Sequence, residues 1–237
     1  MEDSLSFSVD ARPFDFPYNG RIGRASLALL VIDVQHDFLS PDGYFARKGY
    51  DPRPLRAVIP VIKKIVDAAR ECGCQVIWTR QGYRADLADL TDYERWRHEQ
   101  SGIVFDGSDA DGVLVRGTRG YEIVAELAPL PGEPVIDKTA NNAFYQTDLD
   151  MILRTGGVRH LIFTGCTTDA CVHSTLREAN DRKFQCLLVE DACASGDAEA
   201  HRAAVRMVTL ENGIHGAVAD SRAVIAGLRT FAERWCG

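Results

Sequence analysis

The sequence predicts a single α/β domain: a doubly wound, mainly parallel sheet of six strands with helices on both faces. Two observations indicate it. Apolar, β-rich segments alternate with amphipathic helical patterns along most of the 237 residues, and the chain shows no internal repeat or linker. Such alternation favours parallel pairing, because a parallel strand is reached through a crossover. We assign residues 1–24 to an extended N-terminal arm and residues 25–237 to the domain.

The first strand is the run LALLVIDV at residues 27–34, which lacks alternation and therefore predicts burial on both faces. Residues 54–71 follow with apolar side chains at helical spacing. The later elements are strands at 75–79, 134–137, 160–164, 184–190 and 214–218, and helices at 121–127, 148–154, 170–181, 198–210 and 221–235. The stretch 81–118 is long and polar, which is typical of a lid or an oligomer contact.

Composition excludes several classes of partner. The chain has 34 acidic and 27 basic residues, a net charge of −7 and no basic cluster, so we expect no binding to nucleic acid or anionic membrane. Its longest apolar run is too short to cross a bilayer, and the polar N-terminus does not resemble a signal peptide. We therefore expect a cytoplasmic protein whose seven cysteines are mostly free, packed thiols.

Three reactive side chains follow predicted strands. Asp33 ends the first strand, Lys138 follows the third, and Cys171 lies just after the fourth. Since ligands of open α/β sheets bind beyond the carboxyl ends of the strands, these residues should share one rim. Cys171 falls in the first turn of a helix capped by Thr168 or Asp169, where the helix dipole favours a thiolate. Taken alone, Asp33 could be a proton carrier or a member of an ordinary ion pair. Taken alone, Lys138 could be an ordinary surface lysine.

Longer motifs carry a family resemblance. LALLVIDVQHDF, VIDK with a following AF, and TGCTTDACVHSTLREAND resemble the cysteine hydrolases of the isochorismatase-like superfamily, across residues 25–230. Within that superfamily the chain looks like the biuret hydrolase branch, which includes triuret hydrolases. Four segments carry this finer likeness: PYNG at 17–20, GYD at 49–51, DLADL at 86–90 and REAND at 177–181.

The resemblance implies that Asp33, Lys138 and Cys171 form a catalytic triad. It also implies a non-proline cis peptide at Cys166–Thr167 that shapes an oxyanion site with the Ala170 amide, and a homo-oligomer, which we expect to be a homotetramer. Nicotinamidases of the superfamily hold a metal through Asp-x-His-x-His, but residues 79–83 read TRQGY, so we expect no metal. We expect no cofactor either, because no glycine-rich loop follows the first strand.

Substrate identity depends on departures from the branch. Asn141 stands where biuret hydrolases carry lysine, and Glu211 where they tend to carry glutamine. Both exchanges favour a longer linear ureide rich in N–H groups, so we expect triuret. Three further residues are candidate substrate contacts: Gln35, Phe38 and Phe144.

Alternatives of the same chemistry are biuret, ureidoacrylate and N-carbamoyl amino acids. A non-catalytic ligand-binding paralogue is the alternative of another class. An isochorismatase is disfavoured, because hydrolysis of a vinyl ether does not need a cysteine nucleophile.

Overall fold

The computed structural model describes residues 4–23, 25–105 and 112–236. A short antiparallel pair, β1 (Ser4–Ser6) and β2 (Arg21–Gly23), precedes the main sheet. The main sheet contains β3 (Leu27–Ile32), β4 (Gln75–Gln81), β5 (Val135–Lys138), β6 (His160–Cys166), β7 (Gln185–Ala194) and β8 (Ala217–Ala219). All its pairings are parallel, in the order β5-β4-β3-β6-β7-β8, so the predicted six-stranded doubly wound sheet is confirmed.

The strand order places a topological switch point between β3 and β6. From β3 the chain moves outward to β4 and β5, then returns to pair β6 with the other side of β3. Such a switch leaves a crevice at the carboxyl ends of the two central strands. Asp33 follows β3 and Cys171 follows β6, so both residues stand at this crevice.

Nine α-helices surround the sheet within the described ranges. They are α1 (His36–Leu39), α2 (Tyr44–Arg47), α3 (Arg53–Ala57), α4 (Ile59–Glu71), α5 (Asp92–Glu99), α6 (Leu149–Thr155), α7 (His173–Asp181), α8 (Ala198–Gly213) and α9 (Ser221–Cys236). Shorter segments are a 3₁₀ turn at Ala125–Leu127 and a π turn at Thr168–Val172. No helix among these residues is long and apolar enough to cross a membrane.

Three segments differ from the sequence prediction. The helix expected at 54–71 is divided into α3 and α4, because Pro60 lacks the amide hydrogen that would continue α3. The helix expected at 121–127 reduces to the 3₁₀ turn, because the preceding backbone pairs with the chain after β3, at Gln35 and Val34. The stretch 81–118 contains α5, whose capping box joins Thr91 and Glu94; residues 106–111 of that stretch lie outside the described residues.

β3 lies between two apolar cores. Leu29 and Val31 pack in one core together with α4 and α9, whereas Leu30 and Ile32 pack in the other with α6 and α7. All six residues of β3 are buried, as the absence of alternation predicted. Each buried aliphatic side chain of this kind contributes about 1.5–3 kcal/mol to folding. The residues before β3 pack on α9, where the rings of Phe7 and Phe231 lie 5.6 Å apart, and Arg12 pairs with Val218 of the edge strand β8.

Candidate active site

The carboxyl ends of β3, β5 and β6 bring the three predicted catalytic residues together. Asp33 has a φ of 50° and turns out of β3, while Lys138 is the last residue of β5. The chain leaves β6 through Gly165, whose φ is +114°; a Cβ there would lie 2.0 Å from the carbonyl oxygen of Ile32. Glycine at this position therefore lets β6 run against β3 and still turn toward Cys171.

Asp33 and Lys138 form a fully buried ion pair. Lys138 Nζ lies 2.7 Å from Asp33 Oδ2, and both side chains are 0% exposed. The Thr79 hydroxyl donates to Asp33 Oδ1 at 2.5 Å. Lys138 Nζ also donates to Gln81 Oε1 at 2.7 Å and to the Ala140 carbonyl at 3.2 Å, so the ammonium has two hydrogen-bond acceptors besides its ion-pair partner. Burial alone would lower the pKa of Lys138, but the Asp33 carboxylate outweighs it, with a smaller contribution from Cys171, so that pKa is raised.

Cys171 interacts electrostatically with both members of this pair. Its side chain is 5% exposed, and burial raises the pKa of the thiol to about 12; Lys138 opposes this rise and Asp33 adds to it. The sequence-based expectation of a stabilised thiolate is therefore wrong, because desolvation outweighs the helix terminus. With this pKa the resting Cys171 side chain is a thiol, and the Asp33 carboxylate lies near it.

The turn that carries Cys171 differs from the expected capped helix. It begins as a π turn after Thr167, and no side chain caps it, so neither Thr168 nor Asp169 is the N-cap. The Val172 amide donates to the Thr167 carbonyl at 3.1 Å, which produces the wider turn. The Ala170 amide points at the same carbonyl at 3.2 Å, so it must exchange that bond to serve a substrate oxyanion. The Cys166–Thr167 peptide is cis.

A cavity of about 550 Å³ opens over Cys171. Its lining includes Cys171, Ala170, Thr167, Gln81, Asn141 and Phe38. Asn141 Oδ1 lies 4.0 Å from the thiol sulfur. Another cavity, of about 470 Å³, is lined by residues such as Leu87 and Phe105 and by none of the three predicted catalytic residues. The cavity over Cys171 is therefore the candidate active site.

Three predicted substrate contacts do not line the cavity of this chain. Gln35 is 0% exposed, and its amide group bonds backbone atoms of Gln81 and Tyr121 at 2.7–3.0 Å, so it holds the strand ends in place. Phe144 is buried in the core and stacks on Phe184 at 6.1 Å. Glu211 is exposed in the last turn of α8, with a φ of 51°. The residue types fit a ureide site, but the tertiary structure directs these three side chains away from the cavity.

Gln81 is one of the site residues that the sequence reasoning missed. Its Oε1 accepts from Lys138, and its Nε2 donates to the Thr139 carbonyl at 2.9 Å. It stands within the segment where nicotinamidases carry metal ligands, and here it supports the lysine instead. Among the residues of known placement, no group of three or more His, Cys, Asp or Glu side chains has an arrangement that could hold a metal ion.

Known proteins resemble this chain in sequence and fold. The family model "Isochorismatase domain" matches residues 27–220. The ureidoacrylate amidohydrolase RutB of Rhizobium rhizogenes is 32% identical over 196 residues, which cover 81% of this chain and 78% of that protein. An isochorismatase family protein from Desulfovibrio vulgaris superposes with a TM-score of 0.72 at 28% identity, covering 86% of this chain and 98% of that one.

A cysteine hydrolase from Pseudomonas syringae pv. phaseolicola superposes with a TM-score of 0.75 at 24% identity. The match covers 89% of this chain and 95% of that one. At this level of identity the likeness concerns the fold.

Proposed function

The chain belongs to the isochorismatase family, and we propose that it is a cysteine-dependent amidohydrolase that cleaves a C–N bond of a small linear ureide and releases ammonia. One observation carries the proposal: Cys171 faces the cavity while in contact with a buried Asp33–Lys138 pair. A nucleophile (Cys171), a base (Asp33) and a cation (Lys138) thus lie together in a buried site, as amide hydrolysis through a thioester requires.

The reaction begins with transfer of the Cys171 thiol proton to Asp33. The thiolate sulfur bonds to the ureide carbonyl carbon, and the resulting oxyanion accepts hydrogen bonds from the backbone amides of Ala170 and Cys171. The C–N bond then breaks, and Asp33 returns its proton to the leaving nitrogen, which departs as ammonia. Asp33 takes a proton from a water molecule as the water oxygen bonds to the thioester carbonyl carbon. The C–S bond then breaks, and Asp33 passes that proton to the leaving sulfur, which restores the thiol and the carboxylate.

Lys138 keeps the charge of the site balanced through this cycle. Its ammonium stays 2.7 Å from Asp33 Oδ2 and also contacts the sulfur. It therefore compensates a negative charge on either the carboxylate or the thiolate, whichever of the two lacks the proton. Gln81 and Ala140 hold the ammonium at this position.

Triuret is the substrate we propose first. Asn141 Oδ1 lies beside the sulfur and is a pure acceptor for a ureide N–H, where a lysine would present a cation. Glu211 gives this preference no support within one chain, because it is exposed and outside the cavity. Ureidoacrylate is the second candidate, favoured by the amidohydrolase relative and by cations at the cavity mouth.

An ammonia-release assay across biuret, triuret, ureidoacrylate and N-carbamoyl amino acids tests this proposal. We expect kcat/KM to favour one linear ureide by tenfold or more, with no ammonia from the Cys171→Ala variant. Comparable rates on all four compounds would contradict a selective ureide pocket. Binding of a ureide by the wild type without any turnover would instead support a non-catalytic paralogue.

We further propose a cytoplasmic homotetramer as the working form. Analytical ultracentrifugation of the purified chain tests the assembly. A monomer at micromolar concentration would contradict it.

A further inference from the structure

The mouth of the cavity carries two cations without a carboxylate partner. Arg97, on α5, and Lys48, which follows α2, both line the cavity. The ion pairs of the described residues include neither of them. Burial, together with the charge of Arg97, lowers the pKa of Lys48. Two like charges thus face one opening, and neither has a carboxylate within ion-pair distance among the described residues.

A buried histidine organises this group. His98 is 1% exposed, and its Nδ1 lies 3.2 Å from the Tyr44 hydroxyl. Its Nε2 lies 3.1 Å from the Tyr83 hydroxyl and 3.4 Å from Arg97 Nη2. Burial, with the charges of Arg97 and Lys48, lowers the pKa of His98 to about 4. The ring is therefore neutral near pH 7, with one donor and one acceptor nitrogen.

The direction of these hydrogen bonds follows from the chemistry of Arg97. A guanidinium only donates, so His98 Nε2 accepts and Nδ1 carries the hydrogen. Nδ1–H then donates to the Tyr44 oxygen, which also accepts from Lys48 Nζ at 3.3 Å. Both lone pairs of that oxygen are occupied, so the Tyr44 hydroxyl hydrogen is left to donate. Tyr44 lines the cavity, so this hydrogen can be donated to a molecule bound there.

Glu94 and Asp169, the two acids of the lining, form no ion pair with Lys48 or Arg97 among the described residues. Glu94 Oε2 accepts from the Thr91 amide at 3.0 Å and from its hydroxyl at 2.7 Å, so that carboxylate is used by the capping box of α5. Asp169 lies on the turn that carries Cys171 and is exposed. The cavity is therefore polarised, with hydrogen-bond donors at its mouth and the nucleophile at its buried floor.

We propose that Lys48, Arg97 and the Tyr44 hydroxyl form a distal subsite that binds an oxygen acceptor at the far end of the substrate. His98 is the positioning residue that orients the Tyr44 hydroxyl and Arg97. The acceptor chemistry is a carboxylate, as in a ureido acid, or the terminal carbonyl of an extended ureide. This subsite rests on the proposed function, because it determines which ureide reaches Cys171 in a productive pose.

Steady-state kinetics on three substrates test the subsite. Loss of one charge-assisted hydrogen bond should raise KM about ten- to a hundredfold in Arg97→Met and Lys48→Met, with kcat nearly unchanged. Triuret and ureidoacrylate should show this loss, whereas biuret, one carbamoyl unit shorter than triuret, should show little. A larger loss on ureidoacrylate than on triuret identifies a carboxylate acceptor, and the reverse identifies a carbonyl. Arg53→Met, at an exposed arginine outside the cavity, is the matched control.

Equal losses on all three substrates, or none, would overturn the subsite. His98→Gln, which keeps a donor and an acceptor, should retain more affinity than His98→Leu at equal thermal stability. Titration calorimetry of ureidoacrylate and triuret with Cys171→Ala and with Cys171→Ala/Arg97→Met separates the two proposals. Weaker binding in the double variant supports the subsite even if the wild type hydrolyses nothing, and unchanged binding of both compounds rejects the subsite whatever the turnover.

Discussion

Replacement of Lys138 by methionine tests the buried ion pair most directly. The substitution keeps the apolar stem but removes the ammonium, leaving the carboxylate of Asp33, the amide oxygen of Gln81 and the Ala140 carbonyl without their donor. Breaking a buried pair by removing one partner costs about 3–5 kcal/mol. For a chain of this size, where each kcal/mol shifts Tm by roughly 2–4 °C, we expect Tm to fall by about 6–20 °C.

The pH dependence of this loss distinguishes charge from packing. An unpaired buried carboxylate is relieved when it takes up a proton, so the deficit of Lys138→Met relative to wild type should shrink as pH falls from 8 to 5. Asp33→Asn/Lys138→Met should recover part of the stability for the same reason. Urea unfolding followed by circular dichroism measures both effects. Lys63→Met, at an exposed i,i+4 pair with Asp67, is the control and should lose less than about 1 kcal/mol. A pH-independent deficit that Asp33→Asn does not relieve would refute the reasoning.

Three further substitutions separate the roles of neighbouring residues. Cys171→Ala should abolish ammonia release while substrate still binds by calorimetry; a variant that retains a tenth of the turnover would mean that Cys171 is not the nucleophile. Asp33→Asn should lower the pKa of the Cys171 thiol, because it removes a negative charge in contact with the sulfur, and should also remove turnover because the base is lost. The pH dependence of iodoacetamide alkylation measures that pKa, and an unchanged or raised value would be inconsistent with this arrangement. Phe144→Ala should reduce the free energy of unfolding by about 3–5 kcal/mol, because it leaves a core cavity, yet preserve kcat at permissive temperature; unchanged stability with a raised KM would return Phe144 to the substrate site.

The sheet, and the meeting of Asp33, Lys138 and Cys171 at one rim, could be predicted because they depend on local patterns. An unbroken apolar run identifies a strand buried on both faces, and the rule for parallel sheets then places Asp33, Lys138 and the turn before Cys171 on one rim. The same rule did not identify Gln81, because the end of its strand was predicted at the wrong residue. The strand was expected to end at residue 79, but β4 continues to residue 81, so the rim begins two residues later than predicted.

The cavity mouth could not be predicted, because its parts come from distant segments. Tyr44 and Lys48 follow the first strand closely, whereas Arg97 and His98 lie on α5, whose polar sequence is typical of a solvated helix. Only tertiary packing buries His98 and turns it toward the pocket. Long-range packing likewise separates Phe38, which lines the cavity, from the equally apolar Phe144, which does not. A sequence pattern reports that a side chain is buried, but not which surface buries it.

The raised pKa of Cys171 has a consequence for how the enzyme limits its own reactivity. A thiolate is the species that alkylating agents and peroxides attack, so a thiol held protonated by burial is protected while the cavity contains only water. Transfer of the proton to Asp33 becomes productive only when a carbonyl carbon is in place to accept the sulfur electrons and backbone amides receive the oxyanion. Donors at the mouth that hold the far end of a ureide would then determine both which substrate is accepted and when the nucleophile forms. Selectivity and protection then arise from the same geometry. Burial at the floor of the cavity keeps the Cys171 thiol protonated, and the donors at the mouth select the ureides in whose presence the thiolate forms.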